Sequence, residues 1–338
     1  MKNNRTFSYF VSEFFSKYLP GERNLSANTI HSYRDAFVEM LRFFETHLSI
    51  APNKIKFEDI SVNELTAFFD SIKHDRHCSI STRNQRMAAI KSFFRYIQVE
   101  EPAQMSLCQK VLAMPAKRKE QATVEYLTGE ELQRLLEQPD TNSRKGRRDL
   151  ALLSLLYDSA ARVQELCDLT VHDIRMASPP VVQLYGKGRK KRVVPLSKDC
   201  AMLVQKYMSE NRMENWENPN RPLFYNSRGE KLTRSGVAYI LRKYMQGLNI
   251  ASKTGATKKI TPHCLRHSKA MHLLEAGVNL IYIRDFLGHE YVETTEIYAR
   301  ANPEAKRRAI QAADAEIHTE TLPDWNEDNA LMNSLRSL

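Results

Sequence analysis

The apolar residues of this chain recur at helical spacing along most of its length. They fall to the two-residue period of a strand only in one short central stretch. Phe7, Phe10, Val11, Phe14 and Phe15 open the helical series, and Ile30, Tyr33, Phe37, Met40, Leu41 and Phe44 form one face of the next segment. Leu65, Phe68, Phe69 and Ile72 stripe a third helix, and Met87, Ile90, Phe93, Phe94 and Ile97 a fourth. Start signals agree with these periods: Ser26 before the second helix, Ser61 with Glu64 as a capping box before the third, and Ser79 or Ser81 before the fourth. The first hundred residues therefore read as a four- or five-helix bundle with an aromatic core.

The stretch from Pro102 to Thr123, with Pro115 and the basic run Lys117-Arg118-Lys119, lacks a sustained period and reads as a flexible connection. A second start signal follows, with Thr128 as N-cap and Glu131 three residues on. A strongly apolar helix is expected from Leu150 to Tyr157. Val181–Tyr185 and Arg192–Leu196 are the two β runs, and Gly186–Lys191 between them reads as a hairpin turn. The spacing thus predicts a mainly α protein with a small antiparallel sheet. Its expected domains are a helical one over 1–110, a linker over 111–124, a mostly helical second domain over 125–313 and an acidic tail over 314–338.

A chain of 338 residues, 42% hydrophobic, can bury two cores of this kind. No apolar run is long enough to span a bilayer and no signal-peptide centre is present, so an intracellular, soluble protein without a membrane role is expected. The five cysteines are scattered and none forms a C-x-x-C pair, which points to reduced thiols and away from a zinc site or a disulfide framework. The formal charge is +10, but the final 25 residues carry one basic side chain against six acidic ones. Both expected domains are basic, and basic domains attract nucleic acid. Arg83, Arg86, Lys91 and Arg95, spaced along one side of the fourth helix, read either as a solvated face or as a stripe against phosphates. Arg189, Lys190 and Lys191 at the hairpin tip are further candidates for DNA contact.

Chemistry concentrates in Thr261-Pro262-His263-Cys264-Leu265-Arg266-His267. Pro262 suits a first helical turn, which puts His263 and Arg266 on one face. A guanidinium fork beside an imidazole suits an anion that must also exchange a proton. Alone the pattern is weak, but Arg162 (in A-A-R-V-Q-E-L) and Lys187 (in G-K-G) lie upstream, and His289 (in L-G-H) and Tyr298 (in T-T-E-I-Y) downstream. Glu165 reads as a structural partner of an arginine, and His267 and His272 as packing or supporting groups.

This ordered series resembles the tyrosine recombinase family, the phage integrases and Xer-type recombinases. The family's order is Arg, Lys, His-x-x-Arg, His or Trp, then Tyr. The likeness covers roughly residues 125–312, with the first domain more loosely similar to the family's core-binding, SAM-like bundle. It implies a site-specific recombinase that cleaves and rejoins DNA through a 3′-phosphotyrosine and a free 5′-hydroxyl, serving integration, excision, transposition or dimer resolution. Arg162 and Arg266 would hold the non-bridging oxygens, Tyr298 would attack phosphorus and His263 would be a base for the tyrosine. Lys187 would protonate the leaving oxygen and His289 would donate to the phosphate. No external energy source, cofactor or metal is implied. The implied partner is double-stranded DNA with inverted-repeat core sites, bound by a homotetramer on synapsed duplexes and by a monomer or weakly associated chain when free. The setting would be cytoplasmic and nucleoid-associated, in a mobile genetic element or chromosome. A helix over Pro303–Ala315 would dock on a neighbouring subunit. The competing readings are a type IB topoisomerase and a non-catalytic DNA-binding accessory protein. Ala160-Ala161 departs from the glycine that often precedes the first arginine.

Overall fold

A computed structural model describes residues 6–74, 78–118, 124–186, 190–213, 221–248 and 260–301, with two isolated positions near the C-terminus. Lys187, Arg189, the expected helix over Pro303–Ala315 and the acidic tail lie outside the described residues. The chain divides into two compact units, Met1–Gln121 and Ala122–Leu338. Among the described residues, no helix is long and apolar enough to cross a membrane.

Among its described residues the first unit has helices and no strand, the α-helices being α1 (Phe7–Glu13), α2 (Ala27–Leu48), α3 (Val62–His74), α4 (Ile80–Glu100) and α5 (Met105–Ala113). Ser26, Ser61 and Ser79 accept the free backbone amides of Thr29, Glu64 and Thr82 at the starts of α2, α3 and α4. Phe7, Phe14 and Phe37 all pack edge-on to the ring of Phe93. Each ring buried this way contributes roughly 1.5–3 kcal/mol relative to exposure. The helix α5 corrects the expectation of a flexible connection after Pro102. It is only two turns long, too short to display a period, yet it buries Cys108 and Val111 in the aromatic core.

The second unit is built around α7 (Arg144–Asp158), in which Leu152, Leu153, Leu155 and Leu156 are all buried, so the second half of the helix is enclosed on all sides. Before it, α6 (Gly129–Leu136) starts with the Thr128–Glu131 capping box, both reciprocal bonds formed. After it come α8 (Val163–Asp168) and an antiparallel sheet of β1 (Ile174–Arg175), β2 (Val181–Tyr185) and β3 (Lys191–Pro195), in that order. The hairpin pairs Tyr185 with Lys191 and Val181 with Pro195. β1 has no counterpart in the sequence reading, because two residues carry no period. The unit continues through α9 (Lys198–Glu210), α10 (Arg234–Met245), α11 (Pro262–Glu275), α12 (Leu280–Leu287) and α13 (Glu293–Ala301). None of the five cysteines is in a disulfide, and all but Cys78 are buried.

Candidate active site

The start of α8, the turn after α12 and the helices α11 and α13 bring Arg162, His263, Arg266, His289 and Tyr298 together. Arg162 is the N-cap of α8, and both its backbone amide and Nη1 donate to Glu165 at 2.8 Å. That carboxylate is buried, yet the side chain of Arg162 remains more than one-third exposed. Nη2 of Arg162 donates to the carbonyl of Gly288 at 3.2 Å, one residue before His289.

Arg266, on α11, is fully enclosed. Its Nη1 donates to the carbonyl of Ala160 at 2.7 Å and its Nη2 to that of Leu287 at 2.6 Å. One guanidinium thus ties the chain before Arg162 to the chain before His289. Its Nε is buried without a partner among the described residues. Burial, then the charges of Arg162 and Arg192, bring Arg266 down to about 9, so it stays protonated at neutral pH. Ala160 adopts φ +46°, a left-handed conformation that glycine takes without penalty. The alanine therefore sits where the chain turns sharply to offer its carbonyl to Arg266.

His289 follows the C-cap of α12, where Gly288 takes φ +65°. Its Nδ1 is 2.9 Å from the hydroxyl of Thr295, which leaves Nε2 as the ring's other edge. Burial, followed by the charges of Arg266 and Arg162, pushes His289 down to about 4. The ring is neutral at pH 7 and can donate only one N–H.

Tyr298, on α13, is 1% exposed and belongs to a small separate core with Ala160, Ala270, Met271, Ile283 and Leu287. Its hydroxyl is 2.8 Å from Nδ1 of His267. Burial pushes the phenol up to about 12 and His267 down to about 4, where His263 and Arg266 add to the effect. His263, one helical turn before His267, packs edge-to-face on that ring with centroids 4.4 Å apart. Burial, then Arg266 and Arg162, hold His263 below its ordinary value.

The structure thus gathers Arg162, His263, Arg266, His289 and Tyr298 at one site. Sequence reasoning left His267 among supporting groups, yet His267 holds the tyrosine hydroxyl. Its spacing of four from His263 carries that signal. The second threonine of T-T-E-I-Y, Thr295, is the partner of His289. Lys190 is exposed and pairs with Glu290 at 2.9 Å, and Lys191 is exposed at the start of β3.

In the first unit, the expected exposed stripe is corrected. Arg83 is 5% exposed and lies over the ring of Phe69 at 5.1 Å. Arg86 pairs with Glu39 at 2.7 Å. Lys91 donates to the carbonyls of Leu112 at 2.8 Å and Met114 at 2.5 Å, closing the end of α5. Of the four, Arg95 alone is exposed. The other three make their contacts where α4 meets α2, α3 and α5.

Comparison with known proteins gives a consistent picture. The profile of the phage integrase family matches residues 125–305, and that of the phage integrase N-terminal SAM-like domain matches residues 13–101. The chain is 36% identical over 310 residues to y4rC of Sinorhizobium fredii, a protein named for an integrase or recombinase, covering 92% of each. It is 35% identical to the tyrosine recombinase XerD of Oceanobacillus iheyensis, over 86% of this chain and 93% of the relative. The fold is similar to that of the XerH site-specific recombinase bound to a palindromic difH substrate in a post-cleavage complex. That likeness has a TM-score of 0.67 at 22% identity and covers 86% of this chain and 80% of the other.

Proposed function

The chain belongs to the phage integrase family and is a tyrosine recombinase, an enzyme of DNA strand breakage and rejoining; from that premise we propose that Tyr298 is its nucleophile and forms a 3′-phosphotyrosine. One observation carries this reading. The Tyr298 hydroxyl is bonded into the same α11 face that carries His263 and Arg266.

The chemistry follows from the charges. A phosphodiester is already anionic and gains charge as the oxygen of Tyr298 approaches phosphorus. Arg162, with a partly exposed side chain, and Arg266, with a spare buried Nε–H, are the groups that offset that charge. A phenol held near 12 stays protonated at neutral pH, so the proton must leave as the phosphorus–oxygen bond forms. His263 takes that proton, and neutral His267 orients the hydroxyl. His289, held neutral and bonded through Nδ1 to Thr295, donates from Nε2 to a non-bridging oxygen. Lys187, as the family resemblance implies, gives the 5′ oxygen its proton as that bond breaks. The bond energy is retained in the phosphotyrosine, and attack by a 5′-hydroxyl reverses the step without an external energy source.

The partner is double-stranded DNA with inverted-repeat core sites, engaged by four copies on two synapsed duplexes. The test begins by selecting bound duplexes from a random-sequence pool with the full-length protein. Two copies of the selected site are then placed on one supercoiled plasmid. Inversion or excision between the copies is the expected result. Relaxation of a single-site plasmid without exchange would identify a topoisomerase, and binding with neither outcome an accessory protein.

A further inference from the structure

Arg192, on β3, is a largely covered cation that the chemistry above does not use. Its side chain is 11% exposed, and both terminal nitrogens are committed to Glu165, Nη1 to Oε1 at 2.9 Å and Nη2 to Oε2 at 2.7 Å. Its Nε is buried without a partner among the described residues. The same two carboxylate oxygens accept Nη1 and the backbone amide of Arg162. One carboxylate therefore sits between two guanidiniums.

The stem of Arg192 also fills the space beneath Gly288. A Cβ at that glycine would lie 2.9 Å from Cδ of Arg192 and 3.2 Å from its Nη1. The carbonyl of Gly288 receives Nη2 of Arg162, and His289 follows it directly. Arg192 thus supports both anchors of Arg162, the carboxylate and the loop carbonyl.

The charge count gives this arrangement a purpose. Arg162 paired only with Glu165 would be electroneutral, and a scissile phosphate would meet little net charge. A second guanidinium on the carboxylate leaves the triad at net +1. Burial works against an ionised Glu165, but the bonds and charge of Arg192, ahead of those of Arg162, hold its carboxyl below the ordinary range.

We propose that Arg192 is a positioning residue for strand cleavage: through Glu165 and Gly288 it holds Arg162 with one edge open and positively charged toward the scissile phosphate. Both of its terminal nitrogens are held by Glu165, so it acts on the phosphate through Arg162 and not by direct contact. This inference rests on the reading of Arg162 as a phosphate ligand.

The test compares two forms of the selected duplex, one with an ordinary scissile phosphodiester and one with a neutral methylphosphonate there. Full-length Arg192→Met and Arg192→Lys are followed by single-turnover formation of the covalent adduct, with duplex affinity and melting measured alongside. On the phosphodiester, Arg192→Met loses on the order of 10- to 100-fold in rate, the scale of a misplaced catalytic group, with affinity unchanged. On the methylphosphonate, which has no charge to offset, the loss shrinks markedly. Arg192→Lys keeps the charge without the fork, loses less, and shows the same substrate dependence, so it carries the comparison if Arg192→Met does not fold. Equal losses on both substrates, or none on either, overturn the proposal. Wild-type protein that forms no adduct overturns the functional reading instead.

Discussion

The hydroxyl of Tyr298 lies 2.8 Å from Nδ1 of His267, and that contact holds the proposed nucleophile against α11. Because burial keeps His267 neutral, its bare nitrogen can accept the phenol's hydrogen. His267→Phe keeps a ring in place but removes the acceptor. It is expected to slow adduct formation by on the order of 100-fold, the scale of a misplaced reacting group. Single-turnover cleavage and a binding titration together check this, since duplex affinity should not change. An undiminished rate in His267→Phe would remove His267 from the site's chemistry.

The depressed histidines make stability depend on pH. His267 and His289 both sit near 4 in the folded chain, against an ordinary value of 6.5. Between those values the unfolded chain binds protons that the folded chain refuses, so stability rises with pH across this window. The contribution is complete above 6.5 and is lost as pH falls toward 4. Thermal melts over this range should show Tm falling with acidity, and His289→Phe should flatten the slope. A Tm that stays level from 6.5 to 4.5 would contradict the burial of these rings.

Ala160 sits at φ +46° with its carbonyl bonded to Arg266. Left-handed backbone costs a non-glycine residue roughly 1–2 kcal/mol, partly offset by the greater freedom of glycine when unfolded. Ala160→Gly should therefore stabilise the protein by about 0.5–1 kcal/mol in urea unfolding, with activity retained. Destabilisation would show that the alanine methyl contributes packing that outweighs the strain.

Lys91 and Arg95 should separate folding from DNA contact. Lys91→Met removes two hydrogen bonds to carbonyls at the end of α5 and should cost about 1–2 kcal/mol of stability with no change in the salt dependence of binding. Arg95→Gln should leave stability unchanged and reduce the slope of log affinity against log salt by about one. Equal salt slopes in both variants would sink the proposed contact.

Much of the local structure was legible because it is written in local signals. Ser26, Ser79 and the Thr128–Glu131 pair declare helix starts through groups only three residues apart. The two β runs declare the hairpin through alternation. What stayed hidden depends on contacts between distant segments. The place of Arg83 is set by Phe69 on another helix, and a charge on a helical face does not reveal whether an aromatic ring will cover it. The family resemblance marked His263, Arg266 and Tyr298, but the bond from Tyr298 to His267 exists only because α13 packs on α11. Arg192 carried no signal at all, since its meaning comes from a carboxylate on α8 that lies 27 positions earlier.

The central claim is that Tyr298 becomes covalently joined to DNA. The direct measurement traps the full-length protein on a nicked duplex carrying its selected site, digests the complex and identifies by mass spectrometry the peptide that retains a nucleotide. The account predicts a phosphotyrosine linkage at Tyr298 and no adduct from Tyr298→Phe. A linkage at Tyr282 or Tyr291, or an adduct that persists in Tyr298→Phe, would contradict it.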